Sequence, residues 1–398
     1  MSDKYISIKK SVNGFSFANL GLFKGFSDGI INTVWALVLL EIFNNSAVVG
    51  IYSSIYFVFY MLITLVSGEM LKLSTKAKLF YFSTLSVAIM YFMMGFSVRP
   101  ATFISLDFAS AVPYMLISSL IPLFMADFSK GIGIERLNGR YIFWANVGAL
   151  MAPVLAMWIS GMMGSRAPFF AVALINIIAL VYFKWFGIIS PDKKVVKISP
   201  RKTLKSTMQT TAAYFKNRDL IAAYIINFGQ YAVYALRSLY VPIMVIEAGF
   251  SKDVLGWVLT LGIIPYILLA QPISRLAKRI GAKIPVAIGF LSLAVFAFLA
   301  SFASGWTLLA IFVLWQISGA MIEPLTDLFF FDAAHGAARD RFFGIFKTVN
   351  RLPRFIIPLI GAGFIYFFGG TGAVWILAGI IALATGLFTI FYKKKAVK

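Results

Sequence analysis

Long apolar runs, broken by short polar stretches, make up most of this chain. About 20 consecutive apolar residues in helical form are needed to cross the hydrocarbon of a bilayer. Measured against that length, twelve segments qualify: 17–43, 47–71, 79–97, 101–126, 140–162, 167–188, 219–246, 253–275, 284–303, 306–330, 342–367 and 371–392. The runs are continuous and show little period-two alternation, which argues against a membrane barrel. Helices satisfy their own backbone groups where no water is present. The pattern therefore predicts an all-α polytopic membrane protein with twelve transmembrane helices.

One connection interrupts the rhythm. Residues 191–218 are long and polar, and they divide the chain into a six-helix half at 1–190 and a second at 219–398. Within the connection, Leu204, Met208, Thr211 and Phe215 recur at helical spacing while Lys202, Lys205 and Lys216 lie elsewhere around the wheel. That arrangement fits an amphipathic helix on the inner membrane surface, with a flexible linker as the alternative.

Composition agrees with the hydropathy pattern. Of the 398 residues, 60% are hydrophobic and 13% charged, where a soluble domain carries about 25% charge. The net charge of +21 gains meaning only from its placement. One side of the membrane receives Lys4, Lys9 and Lys10, then Lys72, Lys76 and Lys78, then Lys130, Arg136 and Arg140. It also receives the 193–218 segment, Arg275, Lys278, Arg279, Lys283, Arg339, Arg341 and the Lys393–Lys395 tail. The other side receives only Arg99, Arg166 and Lys252. Positive charge stays inside, so both termini are expected in the cytoplasm and the chain in the cell membrane, facing an anionic inner leaflet. Basic residues in short strips between spans do not make a nucleic-acid surface, and no nucleic-acid partner is expected.

Other classes fall away on residue counts. There is no cysteine, which excludes a thiolate metal site, and one histidine, His335, which argues against a histidine-built metal site or a Ser-His-Asp triad. A phosphate-cradling GxxxxGK[ST] run is absent. No nucleophile-base-metal constellation is visible, so no enzyme, cofactor or metal is expected. The first apolar run is too long for a signal peptide and has no cleavage site after it.

The two halves carry traces of a repeat. A shift of 206 residues brings Glu41 onto Glu247, Gly50 onto Gly256, Tyr60 onto Tyr266, Gly68 onto Ser274 and Lys72 onto Lys278. Both basic strips, "GEMLKLSTKAK" (68–78) and "SRLAKRIGAK" (274–283), fall between the second and third span of their half. Parallel six-span halves are a transporter architecture.

"SRLAKRIGAK" resembles the loop motif of the major facilitator superfamily, roughly G-x-L-A-D-R-x-G-R-R. Leu276, Ala277, Arg279, Gly281 and Lys283 match, Ser274 replaces the first glycine, and Lys278 replaces the aspartate. In the first copy Gly68 matches, Lys72 stands at the aspartate position and Thr75 at the second glycine. Segments 135–153 and 338–353 resemble the corresponding loop-and-helix regions of each half. The resemblance covers nearly the whole chain. It implies two six-helix halves rocking about a central site, with the loop motif linking helices that slide during alternating access. "GALMAP" (148–153) resembles a degenerate antiporter motif and leans toward export, with close helix packing as the alternative reading. By the same resemblance Tyr52, Tyr56, Tyr231 and Tyr234 lie on cavity-lining helices.

Ionisable groups at membrane depth cost about 2.5–3.5 kcal/mol each on insertion scales, so their presence needs a reason. Lys24 and Asp28 stand one turn apart in span 1, with Asp28 the first candidate for proton handling. Arg237 in span 7 is a candidate for binding a substrate anion, for gating, or for pairing with Asp28. Glu323 and Asp327 are expected on one face of span 10, and Lys347 and Arg351 on one face of span 11, with Arg354 following. Opposite charges on successive helices predict an ion-pair network or inner gate formed with Lys24, Lys347, Arg351 and Arg354, with coupling as the rival role of the acids. Asp107 in span 4 is expected in a wet position near the outer face. The loop residues Gly68, Lys72, Lys278, Arg279, Gly281 and Lys283 are expected to hold the cytoplasmic turns, with Lys72 and Lys278 reaching Glu69, Asp127 or a lipid phosphate.

The sequence thus predicts a secondary active transporter moving a small organic solute by alternating access with proton coupling. The protein is expected to act as a monomer. The alternatives are a drug-type exporter with an apolar site and a non-transporting membrane receptor or scramblase on the same fold.

Overall fold

The computed structural model describes residues 14–71, 74–128, 134–185, 208–334 and 337–393. Lys72, Leu204, His335 and most of the 191–218 connection therefore lie outside the described residues. The first six spans are α1 (Gly14–Phe43), α2 (Ser46–Met70), α3 (Lys76–Phe96), α4 (Pro100–Phe128), α5 (Ile134–Met163) and α6 (Pro168–Trp185). The next three are α7 (Arg218–Glu247), α8 (Lys252–Ile280) and α9 (Lys283–Phe302). Span 10 is split into α10 (Gly305–Ile322) and α11 (Thr326–Ala333). Span 11 is split into α12 (Ala337–Phe346), a 3-10 turn (Lys347–Asn350) and α13 (Leu352–Phe368), and α14 (Gly372–Phe391) closes the chain.

Eleven of these spans are long and apolar enough to cross a membrane. The twelfth, α7, has 30 residues and a length of about 45 Å at 1.5 Å per residue, more than the hydrocarbon requires. It falls short of the others only in apolarity, because Asn227, Gln230, Tyr231, Tyr234, Arg237 and Ser238 interrupt its apolar residues. The span that most resists burial in lipid is the one that carries the site below.

Prolines do not break helices uniformly. Pro113, Pro122, Pro153, Pro242, Pro265, Pro272 and Pro358 sit inside continuous helices. Pro324 lies in the break between α10 and α11, and Pro353 begins α13. These two breaks correct a sequence expectation. Glu323 with Asp327, and Lys347 with Arg351, do not share an uninterrupted helical face, because proline supplies no N–H to continue the ladder across either gap.

The contacts group the chain into two compact units, Met1–Ile42 with Val58–Val195 and Ser251–Thr260, and Phe43–Phe57 with Val196–Phe250 and Leu261–Lys398. In the first unit, α1 crosses α5 at very short range. A Cβ added at Gly21, Gly25 or Gly29 would collide with Tyr141, Ala145 or Ala152, and one at Gly148 with the α1 backbone. One small residue per turn on each helix allows this approach. Packing therefore accounts for Gly148 and Ala152 of the "GALMAP" stretch. Phe80, Phe124 and Phe183 tie α3, α4 and α6 together, with the Phe80 and Phe183 ring centroids 4.4 Å apart.

In the second unit, Asn217 caps α7 by accepting from the Asp219 and Leu220 amides at 2.9 and 3.2 Å. The Tyr392 hydroxyl donates to Asp219 at 2.9 Å, and burial together with that carboxylate pushes its phenol pKa upward. A short helix over residues 208–214 inserts Tyr214 into a cluster with Leu220, Ala223, Phe330, Ala334, Phe346 and Val349. Met208 and Phe215 of the expected apolar face stay 66% and 45% exposed. The residue that docks the segment, Tyr214, lies off that face.

The repeat has a structural echo. Gly50 and Gly256, matched by the 206-residue shift, both sit at close approaches, where a Cβ would collide at Gly50 and be tight at Gly256. Gly50 lies against the Tyr240 hydroxyl and Pro358 within the second unit, and Gly256 against Met157 and Pro153 within the first.

Candidate functional site

The loop motif resolves simply. Lys278 and Arg279 occupy the last turn of α8, where cations favour the negative end of the helix dipole. Gly281 has φ +85° and nothing near its missing Cβ, so it serves the left-handed turn and not a close approach. Lys283 opens α9. In the first half, Gly68 lies in α2. Lys76 reaches Asp127 at 2.6 Å, and the expectation for Lys72 lies outside the described residues.

In the first unit, the four-residue spacing places Lys24 beside Asp28, and the ammonium bonds both carboxylate oxygens. Tyr114 of α4 accepts from Lys24 at 2.8 Å and donates to Asp28 Oδ1 at 2.7 Å. Its ring lies 4.1 Å from the ammonium. The three groups are mutually satisfied and neutral as a set, although the side chains remain 15% and 32% exposed. Asp28 is thus engaged within its own unit. Asp107 also departs from expectation: it is only 3% exposed and accepts from the Trp35 indole at 2.9 Å. A buried carboxylate needs such donors, and apolar sequence neighbours gave no sign of them.

In the second unit, Gln230, Tyr234 and Arg237 lie at spacings of four and three, on one face of α7. Arg237 Nη1 donates to Gln316 Oε1 of α10 at 2.9 Å and to the Tyr266 hydroxyl of α8 at 3.2 Å. The Tyr234 ring stands 4.4 Å from its guanidinium carbon. Two glycines make room for this grip. A Cβ at Gly262 would come within 2.6 Å of Gln316 Nε2, and one at Gly319 would collide with the Tyr266 hydroxyl. Glu323 ends α10 beside Pro324. It lines, with Gln230, Tyr234, Arg237 and Tyr266, a cavity of ≈ 340 Å³ walled otherwise by Val233, Phe290, Leu293, Trp315, Gly319 and Ile322.

Asp327 and Lys347 form an ion pair at 3.0 Å across the two helix breaks. The Lys347 ammonium also faces the rings of Phe343 and Phe346 at 5.2 and 5.3 Å. Arg354 stands 5.7 Å from the rings of both Phe57 and Tyr234. Arg351 falls between the 3-10 turn and α13. Sequence reading singled out the charges here but not Tyr114, Gln230, Gln316 or Tyr266 as their partners. Gln316, an amide in an otherwise apolar helix, was the visible signal.

An all-helical, twelve-span fold with a polar, charged cavity among its helices defines a membrane transporter. The chain belongs to the Major Facilitator Superfamily, whose model matches residues 17–251 and 223–398. Among solved structures it is similar to the nucleoside transporter NupG, at 16% identity and TM-score 0.71, over 96% of this chain and 100% of that one. It is also similar to a D-xylose-proton symporter, at 14% identity and TM-score 0.74, over 96% and 98%. A POT family transporter in complex with a thioalcohol conjugated peptide aligns at 12% identity and TM-score 0.77, over 96% and 98%. These identities speak to the fold alone. No curated protein matches the chain by sequence. The family makes the protein a transporter and not an enzyme.

Proposed function

We propose that the protein is a proton-coupled secondary transporter that moves a small organic solute by alternating access, with its solute site in the α7–α8–α10 cavity. The observation that carries this reading is the pair of opposite charges, Arg237 and Glu323, lining one cavity among the helices. In this reading the sequence halves, 1–190 and 219–398, are the moving parts, joined by 191–218, and both termini face the cytoplasm. Arg237 binds the solute. Glu323, whose carboxylate has no hydrogen bond or ion pair among the described residues, is the proton-binding group, in preference to Asp28 and Asp327, which are already paired. The Asp327–Lys347 pair is a gating contact.

The test is flux in proteoliposomes with a pH dye inside, across solute classes, for the wild type, Glu323→Gln and Asp28→Asn. Solute-driven proton movement lost in Glu323→Gln and kept in Asp28→Asn is the expected result. The reverse pattern moves the proton site to Asp28, and solute flux without proton movement rejects proton coupling. One feature favours a drug-type exporter instead: the ≈ 310 Å³ cavity of the first unit, lined mainly by Leu20, Phe23, Phe80, Ile117, Ile121 and Ile175. Flux of lipophilic cations that is indifferent to Arg237→Ala would select that reading.

A further inference from the structure

We infer that the α7–α8–α10 cavity takes a zwitterionic solute, with a carboxylate on Arg237 and an ammonium on Glu323. The inference rests on the proposed transport function and names its substrate class.

The argument starts from how charge is handled elsewhere in the molecule. Lys24 closes on Asp28, Lys76 on Asp127 and Lys347 on Asp327, each within ion-pair range. Arg237 and Glu323 line one cavity, yet they do not close on each other as those three pairs do. The hydrogen-bond partners of Arg237 are the neutral side chains of Gln316, Tyr266 and Tyr234. Those bonds and the Tyr234 ring hold the guanidinium in place, so it is not free to swing onto Glu323. The Gln316 and Tyr266 bonds both use Nη1. A guanidinium held by neutral groups keeps its charge uncompensated, and a carboxylate is the group that pairs with it most strongly.

While Glu323 is ionised the alternatives leave charge uncompensated, and the solute's ammonium takes the place of the proton that Glu323 otherwise holds. An anionic solute on Arg237 faces the Glu323 carboxylate. A cationic solute on Glu323 faces the guanidinium. A neutral solute leaves both ions desolvated and unpaired, a costly arrangement away from bulk water. One molecule carrying both charges neutralises both ends. Gln230 and Tyr234 supply hydrogen-bonding groups between them, and Val233, Leu293 and Ile322 supply an apolar wall for its carbon skeleton.

The test uses the full-length protein purified in detergent and titrated by calorimetry. The probes are glycine, β-alanine and 4-aminobutyrate as zwitterions of increasing charge separation, with propionate, propylamine and glycerol as controls. We expect one zwitterion to bind at least tenfold more tightly than any control. Glu323→Gln should weaken that zwitterion at least tenfold and strengthen propionate, because the repelling carboxylate is gone. Arg237→Gln should weaken the zwitterion and strengthen propylamine. These opposite shifts separate a charge role from general damage, and circular dichroism with thermal melting checks that both variants fold. Binding of propionate, propylamine or glycerol as tight as that of the zwitterions overturns the inference, as does binding of none of the three zwitterions. Proteoliposome flux separates the two readings. Flux of a neutral or singly charged solute in place of zwitterions overturns the substrate class and leaves transport standing. A zwitterion that binds but does not cross keeps the substrate class and overturns transport.

Discussion

The Lys24–Asp28–Tyr114 group and the Arg237–Glu323 cavity handle buried charge in opposite ways. In the first, cation and anion stand on one helix, four residues apart, and a phenol from α4 completes the set. In the second, cation and anion come from different helices, α7 and the end of α10, and neutral groups hold the arginine. The repeat sharpens the contrast, since a shift of 206 residues carries Lys24 onto Gln230 and Asp28 onto Tyr234. The same stretch of span bears a self-neutralised pair in one half and uncharged cavity-lining residues in the other. A closed pair stabilises its own helix bundle. An open pair keeps its electrostatic energy for a ligand.

The largest effect should come from opening the comparison at Arg237. In the Arg237→Gln variant, transport should fall by about a hundredfold, in line with the ~2–5 kcal/mol lost when one partner of a buried charge contact is removed. Its melting temperature should stay close to the wild type, because Arg237 forms no ion pair with an acid among the described residues. A large loss of thermal stability with modest loss of flux would make this arginine a structural group and erase the distinction.

The converse holds for Lys24. Lys24→Met strands Asp28 beside a single phenol donor. The pair is partly exposed, so the penalty should be about 1–3 kcal/mol, below that of a fully buried pair. The double variant Lys24→Met with Asp28→Leu should recover most of that stability, as read by thermal unfolding, and should retain solute flux. Loss of proton-coupled flux in the double variant would place function in the closed set.

The sequence made part of this contrast visible. Charges on an apolar background announce themselves by cost, so Lys24, Asp28, Arg237, Glu323, Asp327 and Lys347 were all legible, and spacing alone predicted the Lys24–Asp28 contact. The twelve spans were legible for the same reason, through length and the placement of lysine and arginine. The neutral partners were not. Gln316 and Tyr266 reach Arg237 only because Gly262 and Gly319 let α8 and α10 approach, and such a coincidence of two helices leaves no local pattern. Helix breaks were equally opaque, since Pro265 and Pro358 continue their helices while Pro324 and Pro353 mark interruptions. Asp107 was misplaced because its donor, Trp35, is 72 residues away in the chain.

Gly319→Ala tests that coincidence directly. The added methyl would strike the Tyr266 hydroxyl and push it off Arg237 without altering any charge. We expect solute affinity to fall about tenfold, on the scale of ~1.5 kcal/mol for one hydrogen bond to a charged group. The effect should appear as a raised KM, with the dependence on solute charge intact. An unchanged KM would mean that Tyr266 does not orient the arginine.

The smallest effect should come from Tyr114→Phe, which removes the third member of the closed set and keeps its ring. Lys24 and Asp28 still hold each other, so only the phenol's two bonds are lost. The expected cost is about 0.5–1.5 kcal/mol, the net worth of an ordinary hydrogen bond, partly offset by solvent reaching the exposed edge of Asp28. The cation–ring contact of Lys24 survives the change. Solute KM should not move, since no atom of this set lines the α7–α8–α10 cavity. A shift in KM or in the pH dependence of flux, with stability unaltered, would show that the first unit's carboxylate is coupled to transport. The two arrangements of charge would then be two stages of one mechanism.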